Sequence, residues 1–174
     1  ELLLMQPDIS SLVGLRDAAL IALLIGCGMR VSGLCSLNES NIFAFGSGKE
    51  QRYGLRVKEK GGHERVLPLP HEAYILLASY LGHPDLQTID RTLANGDQVV
   101  FVSLRNRHIA VHEYRGEHRR LSKNGVNQVI KKHAEAAGIP MNEAHAHAIR
   151  HLLGAEMAEN DATLLDMQAQ LGHA

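Results

Sequence analysis

Residues 18–29 read AALIALLIGCGM, and this run limits the fold more than any other stretch of the chain. It is too short for a membrane span, which needs about 20 consecutive apolar residues, and it is broken by glycines before it meets Arg30. A segment this apolar must be covered by protein on every side. From Leu15 to Leu37 the apolar positions are spaced for helix, with Gly26 and Gly28 interrupting them. The spacing predicts a buried helix, a tight turn, and a second short helix starting near Val31.

A different periodicity follows. Tyr53, Leu55 and Val57 alternate with Arg52, Gly54, Arg56 and Lys58, then Lys60-Gly61-Gly62-His63 gives way to RVLPL. This predicts a β-hairpin with glycines at its tip. Helical spacing returns from Pro70 to Leu81, with Pro70 as a first-turn proline. Residues 82–121 are irregular and hold one short strand, VVFV from Val99, and a polar segment rich in His and Arg. Ser122 is the expected N-cap of a helix to Ala137, closed by Gly138 and stopped by Pro140. Two more helices are expected, about Asn142 to Glu159 and Ala162 to Leu171. The expected class is mainly α with a small antiparallel β-sheet, an α+β fold, because strand and helix do not alternate as a parallel sheet requires.

At 174 residues the chain fits one domain. Its N-terminus carries Glu1 and Asp8 in place of the basic flank of a signal peptide, and Cys27 and Cys35 have no metal or redox spacing. A soluble, cytoplasmic protein with reduced thiols is expected. The net charge is −1, yet cations cluster at Lys49, Arg52, Arg56, Lys58, Lys60 and Arg65, and again from Arg105 to Lys132. After Met141 the acids Glu143, Glu156, Glu159, Asp161 and Asp166 face a single Lys or Arg, Arg150. Such segregation suits nucleic acid and equally suits a solvated face.

The stretch HAHAIRH, His145 to His151, admits several readings. His147 and His151 share one helix face and could ligate a metal, but the general-base Glu of the H-E-x-x-H pattern is replaced by Ala148, and Arg150 lies between them. His147 and Arg150 can converge instead on a phosphodiester oxygen. An exposed polar helix would look the same.

The order of the motifs narrows the choice. GCGMRVSGLCSL, EKGGHERVLPL, HAIRH and the terminal QLGHA occur in turn. Together they resemble the catalytic domain of the tyrosine recombinases, the phage-integrase family of site-specific DNA recombinases, whose pattern runs T-G-x-R, G-K-G-x-x-x-R-x-x-P-L, H-x-L-R-H and L-G-H. The resemblance extends from about Leu15 to His173. It implies that Arg30 and Arg150 grip the scissile phosphate, that His147 donates a hydrogen bond and accepts a proton, and that His173 is a further donor. Lys60, with Lys58 as competitor, would protonate the leaving 5′ oxygen.

Strand cleavage and rejoining through a 3′-phosphotyrosyl intermediate is implied, without metal or cofactor. The implied partners are double-stranded recombination-site DNA and further protomers in a tetramer, in a bacterial or phage-derived setting. Expected DNA contacts are Arg56, Lys58, Arg119, Arg120 and Lys123.

Two departures stand out. Gly33 replaces the acid that the family places three residues after the first arginine, a role Glu39 could cover. None of Tyr53, Tyr74, Tyr80 and Tyr114 follows HAIRH, and of these Tyr114 alone is expected to be exposed. The expectation is a single catalytic domain over 1–174, cut before its nucleophile and lacking the preceding DNA-binding domain. The rival readings are a non-catalytic DNA-binding protein with an integrase-like fold and a hydrolase with a metal on His145, His147 and His151.

Overall fold

The computed structural model describes residues 2–58, 61–106 and 108–140. The two helices expected after Met141 lie outside the described residues, as do Lys60, His145, His147, Arg150, His151 and His173.

The apolar run forms α1, Leu12–Cys27, which starts at Ser11, whose Oγ accepts from the Gly14 amide at 3.0 Å. Leu20, Ile21, Leu23 and Leu24 are at most 1% exposed. Burying each such side chain stabilises the fold by roughly 1.5–3 kcal/mol, so α1 is the centre of the core. It ends because Gly28 adopts the left-handed conformation (φ 60°), which a residue with a Cβ enters only at a cost. Met29 then turns into the core, and Arg30 caps a five-residue helix α2, Val31–Cys35. Among the described residues, no helix is long and apolar enough to cross a membrane.

The hairpin is present as β2, Arg52–Lys58, and β3, Glu64–Leu69, with Val57 opposite Arg65 and Lys58 opposite Glu64. A third antiparallel strand, β1 at Ile42–Phe45, extends the sheet in the order β1-β2-β3. Its IFAF sequence has no alternation to announce it. What fixes it is pairing with β2, where Gly54 lets the Phe43 ring lie flat: a Cβ there would come within 2.7 Å of Phe43 Cζ.

Helix α3, His71–Leu81, packs on α1. Pro70 is its N-cap, one position earlier than expected. A short helix α4, Pro84–Gln87, follows. The VVFV segment is extended and fully buried, held by single bridges on each side, Asn38 to Val99 and Val102 to Arg120. Tyr80 fastens it to α3, with its hydroxyl donating to Val100 O at 2.7 Å and accepting from Val102 N at 3.3 Å. Helix α5, Lys123–Ala137, runs from Ser122 to a left-handed Gly138, both as expected.

A buried ionic cluster joins α1 to α5. Asp17, 1% exposed, accepts from Arg16 Nε and Nη2 at 3.0 and 2.7 Å and from His133 Nε2 at 2.8 Å. Arg16 Nη1 also donates to Val102 O at 3.1 Å, so one carboxylate organises α1, α5 and the VVFV segment.

Candidate phosphate-binding cleft

Arg30 lies at the junction between α1 and α2, where the chain turns towards the sheet. It lines a cleft of about 260 Å³ together with Met29, Ser32, Gly33, Val57, Lys58, Arg65 and Leu67. Three of these eight residues are cations and none is a carboxylate. Two elements far apart in sequence, the turn after α1 and the β2–β3 hairpin, therefore aim positive charge into one concavity with an apolar floor. Such a site favours an anion, because the floor limits screening by water.

Arg65 was missed as a site residue in the sequence, although the signal was available. It occupies the same alternating face of β3 as the buried Leu67 and Leu69, so the period-two pattern turns it inwards next to Leu67. Arg56 and Lys58 alternate with buried neighbours and are exposed. The Arg56 guanidinium lies 5.2 Å from the centroid of the Phe43 ring.

Glu39, one residue that could have covered the missing acid, is paired elsewhere. Glu39 Oε1 accepts from Arg91 Nη2 at 2.7 Å, and Arg91 is itself buried and donates to Val99 O at 2.9 Å. The physical reason is that burial of the Arg91 guanidinium demands a carboxylate, and Glu39 supplies it. At Gly33 itself there is room: a Cβ would meet only Met29 Cε at 3.9 Å.

The basic segment before α5 divides in two. Lys123, the first residue of α5, is exposed. Arg119 stacks over Tyr114, its guanidinium carbon 3.7 Å from the ring centroid, while its Nε donates to Tyr114 O at 3.0 Å. Arg120 is turned inward, against the expectation that it meets DNA. Its Nε and Nη2 donate to Glu117 at 2.6 and 3.0 Å, its Nη1 to Cys35 O and Leu37 O at 2.9 and 3.2 Å, and its Nη2 to Asn38 Oδ1 at 2.7 Å. These contacts use the full donor capacity of a guanidinium. Hydrogen bonds from Arg120 hold the Glu117 carboxyl below its ordinary range.

Tyr114 is half-buried and not the exposed tyrosine expected, because its hydroxyl donates to Ser103 O at 2.6 Å. Tyr53 and Tyr74 stack with centroids 3.5 Å apart. Both cysteines are buried and unbridged, and burial pushes the Cys27 thiol up to about 12. Among the described residues no group of His, Cys, Asp and Glu is placed to hold a metal.

A model of the Phage integrase family matches residues 2–174. The chain belongs to the phage integrase family. This integrase-family chain is 34% identical, over its whole length, to the tyrosine recombinase XerD of Proteus mirabilis, of which it covers 49%. It is 27% identical to the tyrosine recombinase XerC of Chlamydia pneumoniae, covering 48%. The chain thus spans about half the length of these relatives. Among solved structures, the XerH site-specific recombinase bound to its difH substrate before cleavage superposes with a TM-score of 0.75 at 18% identity, over 99% of this chain and 44% of that one. XerA recombinase gives 0.67 at 24% identity, over 92% and 50%. These likenesses establish the fold: helices around a small antiparallel sheet, as the sequence predicts.

Proposed function

We propose that this integrase-family domain cuts and rejoins DNA strands at a specific site by transesterification, through a 3′-phosphotyrosyl intermediate. The observation that supports the reading is the cleft that joins Arg30 to Lys58 and Arg65, three cations from two elements far apart in sequence. A guanidinium binds two phosphoryl oxygens at once and stays charged, so it stabilises developing negative charge without a metal ion.

Arg30 and Arg150 would grip the phosphate, with His147 and His173 as hydrogen-bonding partners and Lys60 protonating the 5′ oxygen. Lys58, the competing candidate for that proton donor, lines the cleft at the end of β2. Duplex DNA is the proposed partner, contacted through Arg56, Lys58, Arg119 and Lys123, with further protomers assembling as a tetramer on paired sites in a bacterial cytoplasm. The bonds of Arg120 argue for removing it from the DNA-contacting set.

Gly33 favours one second reading, a DNA-binding protein that keeps the fold without the chemistry. Covalent capture separates the two. The full-length protein, incubated with DNA sites selected from a fragment library and then denatured, should carry DNA joined through a 3′ phosphate, and Arg30→Ala should abolish the adduct. Tight, salt-sensitive binding without any adduct would favour the second reading. No preference for DNA at all would overturn both.

A further inference from the structure

The helix that follows Arg30 is too short to hold itself. Five residues form about one and a half turns, and isolated helices of that length are unstable in water, so the direction of α2 must be set from outside. Its first turn receives no side-chain cap, and its N-cap is Arg30 itself. At its other end, the Cys35 and Leu37 carbonyls receive Nη1 of Arg120 at 2.9 and 3.2 Å. Leu37 O also accepts from the Val100 amide at 3.1 Å, so Arg120 and the buried VVFV segment hold the same peptide.

A cation at the C-terminal end of a helix complements its dipole, and a planar fork with three anchor points, the carbonyl pair, Asn38 and Glu117, fixes direction as well as distance. The backbone on either side of Arg120 is equally tied down: Leu121 N donates to Phe101 O at 3.0 Å and Ser103 N to Arg119 O at 2.6 Å. The fork therefore rests on the core and not on a loose loop.

We propose that Arg120 is a positioning residue for Arg30: by clamping the C-terminal end of α2, it sets the attitude of the helix whose N-cap carries the cleft arginine. The proposal rests on the phosphate-binding reading of the cleft for its consequence, and on the α2 geometry for its mechanism. Glu117 is the outer partner in this clamp, and its loss should matter less, since the carbonyl contacts remain without it.

The test uses the full chain and inorganic phosphate. Phosphate affinity is followed through the Arg30 Nε–Hε resonance, and α2 is followed through hydrogen exchange of the Leu34 amide, which donates to Arg30 O at 3.0 Å. In Arg120→Ala, exchange at Leu34 should accelerate at least tenfold and phosphate affinity should fall at least fivefold. Arg120→Lys should recover part of both, and Glu117→Gln should stay within twofold of the parent.

Ser11→Ala, which removes the cap at the far end of α1, controls for general destabilisation and should lower Tm with Arg30 unchanged. Unaltered Leu34 exchange in Arg120→Ala would overturn the clamp. Accelerated exchange with parental phosphate affinity would overturn its link to Arg30. If Arg30→Ala left phosphate binding intact, the cleft reading itself would fall and the positioning role with it, a result distinct from either of the others.

Discussion

His133 Nε2 donates to Asp17 Oδ2 at 2.8 Å across the core, joining α5 to α1 over 116 positions of sequence. Arg16 shares the same carboxylate, and both partners are nearly as buried as Asp17. Removing the carboxylate leaves buried donors without an acceptor. Asp17→Ala should therefore cost roughly 3–5 kcal/mol, read as a lower urea midpoint at unchanged slope. A loss under about 1 kcal/mol, the size of an ordinary hydrogen bond, would mean the cluster is dispensable.

Gly33→Ala should stabilise the fold. Glycine in a helix interior costs about 0.5–1 kcal/mol relative to alanine, Gly33 has no left-handed backbone, and the space around it accepts a methyl group. Thermal unfolding would show a raised Tm. A lowered one would reveal that the backbone at Gly33 must move.

DNA binding should separate Arg120 from its neighbours. Lys58→Ala and Lys123→Ala should each reduce the slope of log affinity against log salt by about 1, as one phosphate contact is lost. Arg120→Ala should leave that slope unaltered, since its guanidinium is bound within the protein. Fluorescence anisotropy across a salt series measures all three.

Thiol chemistry offers a direct check on the core. With the Cys27 thiol pushed up to about 12 by burial, and Cys35 also raised by burial against the opposing charges of Lys123 and Arg120, neither is a thiolate near neutral pH. Iodoacetamide should leave both unmodified in the native protein and label both in urea, as counted by mass.

Acid should weaken the Arg120 clamp. The Glu117 carboxyl sits below its ordinary 4.5, chiefly through hydrogen bonds from Arg120 and despite desolvation. A depressed carboxyl contributes its full stability above pH 4.5 and loses it as pH falls through the lower folded value. The Tm advantage of the parent over Glu117→Gln should thus be present at neutral pH and shrink in acid. An advantage that grows in acid would reverse the assignment.

Much of this architecture is legible in the sequence where local physics decides. The apolar run, the left-handed Gly28, the hairpin and the Ser122 to Gly138 helix each depend on short-range spacing and caps. Strand β1 was not legible, because a neighbour's glycine, Gly54, makes room for it. The partners of Arg120 were hidden for a related reason. A charge in a sequence looks the same whether its donors face solvent or the carbonyls of Cys35 and Leu37, more than 80 positions earlier. Asp17 had left one trace, an Arg-Asp pair inside an otherwise apolar helix, a pattern that calls for buried partners.

The tyrosines also have a bearing on fidelity. Tyr80 and Tyr114 commit their hydroxyls to backbone carbonyls, and Tyr53 and Tyr74 stack ring on ring. An enzyme whose chemistry runs through a phenol is exposed to self-inflicted side reactions if a stray phenol reaches the phosphate first. Here two of the four phenols among the described residues are held by hydrogen bonds, and for Tyr74 and Tyr80 ionisation is made harder. On the proposed chemistry, neither Tyr80 nor Tyr114 would compete with the attacking hydroxyl.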